Sequence, residues 1–333
     1  MKEYIQITIV FAILLMVIPS IVFLGEHKAV SESDSSSVSE SQQQDTDKVK
    51  IYFTGQKQVR EFTMQEYTVG AVMAQMPADY EPAALQAQAV LAQTYAVYRI
   101  NAEKASPTPG LYGAVMSDDK TLYQSFFTPE QAKELYKDNY ETAHKKVLDA
   151  VNAVKDKLLE YDGKPVMIAF HAVSDGFTRS AKDVWGQDIP YLTSVESKQD
   201  TALKQAQTKT EMTSGQFREK LGAKWSDISF TGDPMTWLNV AKTGEHGLVK
   251  EVTVCGKSIE ASELCEVLDL ASQSFVFEIS GDKFTFTCHG LGHLVGMSQY
   301  GANEMAKQGQ SFEQILTHYF TGCKICENLP ESS

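Results

Sequence analysis

The pattern of apolar and polar positions opens with an apolar run, Ile5 to Leu24, interrupted only by small or uncharged residues, and then a stretch from Val30 to Asp47 where apolar residues almost vanish. About 20 apolar residues suffice to cross a bilayer as a helix. The residues that follow, Phe23-Leu24-Gly25-Glu26-His27, lack a small-x-small cleavage pattern. Residues 1–27 therefore read as a cytoplasmic end and an uncleaved signal anchor, with the amino terminus inside. Residues 28–47, rich in Ser, Glu and Gln, cannot bury enough surface to offset the entropy of ordering and read as a flexible linker. The expected location is the cell membrane, single-pass, with the folded part outside.

Folded patterning begins at Lys48, where Lys48 to Phe53 alternates as a strand. Thr63-Met64-Gln65-Glu66 is a capping box: the Thr63 hydroxyl takes an orphan amide and Glu66 reaches back. The helix it starts carries Tyr67, Gly70, Val72 and Met73 and stops at Met76-Pro77, because Pro disfavours helix in its predecessor. A second helix opens at Glu81-Pro82 and runs to Arg99, kept slim by Ala83, Ala84, Ala87, Ala89, Ala92 and Ala96. Its Gln86 and Gln93 share a face, which either lines a groove or faces water. Another capped start, Thr128-Pro129-Glu130-Gln131, leads a helical spacing that continues from Leu135 through Val154. Asp162-Gly163 marks a hairpin within Leu158 to Met167.

From Trp185 to Asp233 the pattern is weak, with a helix after Thr213-Ser214. Then come a strand from Leu248 to Val254, a short helix from Ser262 to Leu270, and a second hairpin about Ser280-Gly281-Asp282. A glycine-dense run from Cys288 to Gly301 precedes a last helix, Ser311 to Phe320, and a polar tail, residues 323–333. Dense glycine permits unusual backbone angles and close approach to a ligand. The expected fold class is α+β in two lobes. One lobe is helix-rich and includes the C-terminal block; the other is strand-rich, from about Lys164 to Thr287, and inserted.

Composition narrows the partners. A net charge of −13 argues against nucleic acid, which needs basic stripes to displace counterions. It leaves room for a glycan, and 14 Tyr and 16 Phe supply aromatic surface. Five Cys permit two disulfides and one thiol outside the cytoplasm, with pairing undetermined. A zinc site can be drawn from Cys288, His293, Cys323 and Cys326. The plain alternatives are a Cys323–Cys326 disulfide or thiols, and His289-x-x-x-His293 lacks the adjacent Glu of a zinc peptidase. No metal or other cofactor is expected.

Three separated blocks point one way. The first is Tyr67-x-x-Gly70-x-Val72-x-x-x-Met76-Pro77 with Ala84-Leu85-x-Ala87-Gln88-Ala89-Val90 and Thr94-Tyr95-Ala96. The second is Phe170-His171-x-x-Ser174-x-Gly176 with Val184-Trp185 and Pro190-Tyr191-Leu192. The third is Gly292-His293-x-Val295-Gly296-Met297-Ser298-Gln299-Tyr300-Gly301-Ala302 with Met305-Ala306-x-Gln308-Gly309. Together they resemble the stage II sporulation protein D family, membrane-anchored lytic transglycosylases of endospore-forming bacteria, over residues 48–322. The resemblance implies cutting of peptidoglycan glycan strands during forespore engulfment, on the mother-cell side of the septum. A glutamate protonates the glycosidic oxygen, and the 6-hydroxyl of the sugar closes a 1,6-anhydro product, so no second carboxylate is required. It further implies substrate-binding positions at Gln93, Tyr95, His171, Ser174, His293, Ser298 and Gln299. A partner amidase, stage II sporulation protein P, and other engulfment proteins are implied as well.

The chain departs from that pattern at its centre. The family's catalytic glutamate position holds Gln75, an amide with no proton to give near neutral pH. Gln93 stands where the family often has Arg. Met116 to Gln124, where some clostridial members bind zinc, contains neither Cys nor His. Asp79 and Glu81 are the nearby acids that would have to substitute. The sequence leaves two readings: a family transglycosylase of doubtful activity, or a glycan-binding pseudoenzyme.

Overall fold

The structure, a computed structural model, describes residues 48–327. The expected anchor at residues 5–24, the linker at 28–47 and residues 328–333 of the tail lie outside the described residues. Among the described residues no helix is long and apolar enough to cross a membrane. The fold is α+β, and the described residues divide into two compact units: residues 48–168 together with 324–327, and Ala169–Cys323.

The first unit starts as a hairpin, β1 (Lys48–Phe53) with β2 (Gln58–Thr63), and adds β3 (Met116–Ser117) parallel to β1. Helix α1 (Met64–Gln75) starts at the Thr63 capping box, with Glu66 accepting from the Thr63 amide at 2.8 Å. Helix α2 (Pro82–Ala105) carries Pro at its first turn, where the missing amide loses no bond. Ala84, Ala87, Ala89, Ala92 and Ala96 are fully buried, so the slim face packs. Val49, Ile51, Phe62, Tyr67, Ala71 and Met116 close the core over it. Helices α3 (Pro129–Tyr136) and α4 (Tyr140–Ala153) are separate, although the apolar spacing runs through both. Lys137 takes a φ of +49°, and the polar Lys137-Asp138-Asn139 turn breaks the helix. Strands β4 (Lys157–Tyr161) and β5 (Lys164–Pro165) form the hairpin at Asp162-Gly163, both at positive φ as the two-residue turn requires.

The second unit begins at β6 (Phe170–His171), continues through the short helix α5 (Ala181–Trp185), and then forms two three-stranded antiparallel sheets. One contains β7 (Gln207–Thr213), followed in the chain by helix α6 (Ser214–Lys224). The other runs β8 (Leu238–Thr243), β9 (Val249–Val254), β10 (Lys257–Glu260), after which comes α7 (Ala261–Leu268). Strands β11 (Phe275–Ser280) and β12 (Lys283–His289) complete the first sheet in the order β11-β12-β7. Phe217 stacks on Phe284 at 4.3 Å, and Val252, Val254, Leu264 and Phe286 fill the same core. The glycine-rich loop then leads to β13 (Met297–Ser298), parallel to β6, and to helices α8 (Gln299–Lys307) and α9 (Phe312–Tyr319).

Two expectations need correction. The C-terminal block, expected with the helices of the first unit, belongs to the second, because β13 pairs with β6. The tail expected from residue 323 is not all tail: β14 (Lys324–Glu327) pairs antiparallel with β4 and covers its edge.

Gly70 has a specific reason to lack a side chain. A Cβ there would run into the Phe126 ring and the Phe127 carbonyl oxygen. Gly70→Ala should therefore destabilise by about 1–3 kcal/mol, overriding the gain of about 1 kcal/mol in helix propensity. A lower urea midpoint with an unchanged m-value is the expected result; a rise in midpoint would contradict the packing argument.

Candidate functional site

In the first unit the site grows from the last residue of α1. Gln75 is only 2% exposed. Its Nε2 donates to the Ser125 carbonyl at 2.8 Å, while its Oε1 accepts from Gln88 Nε2 and from Gln124 Nε2, each at 2.9 Å. Gln124 in turn accepts from the buried Tyr67 hydroxyl at 2.8 Å, and its backbone amide donates to Tyr95 Oη at 3.4 Å. Burial pushes the Tyr95 phenol up to about 12 and Tyr67 well above its ordinary value, so both hydroxyls keep their protons. These amides and phenols are neutral and have no proton to give near neutral pH. Asp79 is exposed, and its backbone carbonyl is held by Lys146. Glu81 is the residue preceding α2 and makes no side-chain cap.

Gln93 goes elsewhere. Its Nε2 donates to the Val154 carbonyl at 3.1 Å and its Oε1 accepts from the Asp156 amide at 3.2 Å, which ties α2 to the end of α4. Buried at 3% exposure, it is a packing amide.

In the second unit two polar groups form around the loop between β12 and β13. The first is a pair of imidazoles. His171, on β6, and His293 sit with ring centroids 6.0 Å apart, and the Trp185 ring lies 5.2 Å from His293. One backbone residue sets both tautomers. His171 Nδ1 faces the Val295 carbonyl at 3.2 Å and must donate to it; the Val295 amide donates to His293 Nδ1 at 3.0 Å. His171 thus carries its lone pair on Nε2, and His293 carries its proton there. Burial lowers His171 to about 3, helped by His293 and Arg179, and lowers His293 to about 4. The Phe170 carbonyl pulls His293 the other way without reaching Nε2 at hydrogen-bond geometry. Gly296, at φ +72°, lets this loop lie against Ala169, whose carbonyl a Cβ would strike.

The second group surrounds Asp200, which is fully buried. Its Oδ2 accepts from the Ser174 amide at 2.7 Å. Burial raises its pKa, against the pull of the Ser174, Ser298 and Ser197 hydroxyls. Ser197 also meets Tyr319 Oη at 2.8 Å. Ser174 and Ser298 are themselves fully buried, and their hydroxyls accept from the Gly176 and Gly301 amides at 3.1 Å each. Gln299, 2% exposed, is the first residue of α8.

Comparison with known proteins gives this geometry a context. The family profile described as Stage II sporulation protein matches residues 52–161. Stage II sporulation protein D of Bacillus subtilis is 33% identical, covering 91% of this chain and 86% of that protein. The chain belongs to the stage II sporulation protein D family. Stage II sporulation protein D of Bacillus amyloliquefaciens is similar at 34% identity, over 84% of this chain and 78% of that protein. The amidase enhancer of Bacillus subtilis is 23% identical over 77% of this chain and 40% of its own length.

Within this family member the expected site residues sort into groups. Gln75 and Tyr95 meet through Gln124, while Gln93 lies against α4. His171 and His293 meet, and the Ser174 amide bonds Asp200, whose pKa the Ser174 and Ser298 hydroxyls pull down. Sequence reasoning missed Gln88, Gln124 and Asp200. Gln88 lies inside the Ala84–Val90 block, where the alanines around it give it no distinguishing signal, and the other two lie in segments without apolar periodicity. All five cysteines are free, so neither disulfide that the count permits is formed. Among the described residues no group of three His, Cys, Asp or Glu side chains stands ready to hold a metal.

The two histidines give stability a pH dependence of definite sign. Their folded values, about 3 and about 4, lie below the ordinary 6.5, so the unfolded chain takes protons first as pH falls. Their contribution to stability is complete above about pH 6.5 and is lost progressively as pH drops toward their folded values. Urea unfolding at stepped pH should show this loss, with a shallower dependence in His293→Gln. Parallel curves for the two proteins would refute it.

Proposed function

We propose that this protein engages peptidoglycan glycan strands at the membrane surface during engulfment and holds them without cutting, in support of a partner amidase. The observation that carries this reading is Gln75. The position of the family's general acid holds an amide that is buried and bonded on both its oxygen and its nitrogen. Loss of a positioned general acid typically slows such chemistry about 10²- to 10⁴-fold. Gln93, at the position of a family Arg, removes a cation as well and is spent on tying α2 to α4. The likeness to a protein named for enhancing an amidase favours a helper role. The apolar run at residues 5–24 supplies the anchor in this reading, and the acidic balance leaves nucleic acid out.

The test uses the full chain in mild detergent on glycan strands stripped of stem peptides, with products read by mass spectrometry for 1,6-anhydro ends. The unaltered protein should pull down strands and leave them intact. Gln75→Glu should release anhydro ends at least about 10²-fold faster, since a carboxyl facing the Ser125 carbonyl is favoured in its protonated form. Anhydro ends from the unaltered protein at a rate comparable to Gln75→Glu would overturn the reading and turn attention to Asp79 and Glu81.

A further inference from the structure

The arginines of the described residues differ in how their guanidinium groups are satisfied. Arg99 is bonded to Glu103 and, at 3.0 Å, to the Val115 carbonyl; Arg179 is bonded to Asp175 at 2.6 Å; Arg218 is exposed to water. Arg60, on β2, is half-buried, and among the described residues it has neither a hydrogen bond nor an ion pair. Its guanidinium carbon lies 5.0 Å from the centre of the Phe53 ring and 5.3 Å from that of Phe62, and both rings are buried. A cation over two rings is attracted to their faces, but that contact occupies the flat side of the guanidinium and leaves its edge of N–H donors unused. Covering a charge without pairing it is costly, so the unused edge calls for an acceptor.

Arg60 lines a cleft of about 430 Å³ between the β1–β2 turn and the first turn of α3, a volume within the range of small-molecule sites. The start of α3 is not itself open to an anion, because Thr128 and Gln131 cap each other. Two carboxylates share the lining with Arg60. Asp118 accepts from the Thr54 amide at 2.9 Å and from the Thr54 hydroxyl at 2.8 Å through one oxygen, which leaves the second for another donor. Glu130 is held below its ordinary pKa by the Thr128 hydroxyl first and by Arg60 more weakly, and it does not close to ion-pair distance from Arg60. A bare anion drawn to Arg60 would meet these two negative charges, whereas a bare cation would meet the guanidinium. A molecule that carries a carboxylate and an ammonium side by side satisfies both. We propose that Arg60, Asp118 and Glu130 form a binding site for the zwitterionic group of a free α-amino acid, with the carboxylate in the Arg60 fork and the ammonium toward Asp118 and Glu130. The cleft shares no residue with the Gln75 network, and the assignment is independent of the glycan-strand reading.

The experiment titrates the full chain in mild detergent with alanine, N-acetylalanine, alanine amide and inorganic phosphate. Affinity is read by calorimetry, and the side-chain Nε of 15N-labelled arginines is followed by NMR. Alanine should bind and move the Arg60 signal. The two blocked analogues, each lacking one charge, should bind at least about tenfold more weakly, and phosphate should not compete. Arg60→Lys keeps a cation over the rings but loses the planar fork, so alanine should weaken about tenfold. Asp118→Asn keeps the oxygen that Thr54 bonds and removes the charge, so alanine and N-acetylalanine should come within about threefold of each other. A merely structural role for these side chains would not produce that change of preference. The assignment is overturned if phosphate binds as well as alanine, which would make the cleft a plain anion site. It is equally overturned if Arg60→Lys binds alanine unchanged, or if alanine leaves the Arg60 signal where it was.

Discussion

Amides buried by a fold must be paired, and in the first unit that requirement converges on Gln75. Its side chain joins three parts of the chain that are distant in sequence: the end of α1, Gln88 on α2, and the 124–125 segment that follows the irregular loop. Each bond contributes a net of about 1 kcal/mol, but breaking one strands a buried partner at about 1–3 kcal/mol. The orientation of the amide follows from its neighbours, since its nitrogen meets a carbonyl and its oxygen meets two NH2 groups. An ionised carboxylate in its place would set an oxygen against the Ser125 carbonyl; a protonated carboxyl would not. The same geometry thus accepts an amide or a neutral acid, and the chain carries the one that cannot transfer a proton.

The second unit applies the same rule through the backbone. Val295 offers its carbonyl to one imidazole and its amide to the other, so a single residue orders two side chains from different strands and loops. That is achievable only because the loop bends back on β6, which Gly296 permits at positive φ. Beside it, the buried Asp200 accepts from the Ser174 amide, and the neighbouring Ser174, Ser298 and Ser197 hydroxyls oppose the rise in its pKa that burial causes. The apolar core of the two sheets supplies rigidity; these polar clusters fix direction.

Local rules were readable in the sequence wherever the cause was local. The capping boxes at Thr63 and Thr128, the stop at Met76-Pro77, the Pro82 start and the Asp162-Gly163 turn all lie where residue chemistry places them. What was not readable depended on distant partners. Strand β7 finds its place only by pairing with β12, and β8 only by pairing with β9. The break between α3 and α4 hides under continuous apolar spacing. For the site, Gln75, His171 and His293 stood out because motifs surrounded them. Their meaning required the contacts they make with Gln88, Gln124 and the Val295 backbone, which only the folded chain brings together.

The pairing of β14 with β4 has a consequence for how such a chain can change over time. Pro165, just before the second unit begins, and Lys324, just after it ends, both stand opposite Glu160, on the two sides of β4. Two strand spacings, about 9.6 Å, separate them. Three or four residues of extended chain span that distance. Everything from Ala169 to Cys323 is therefore a loop insertion whose feet stand almost together. Its length is free to vary without stretching the β5-β4-β14 sheet, because the ladder is closed by residues on either side of the insertion.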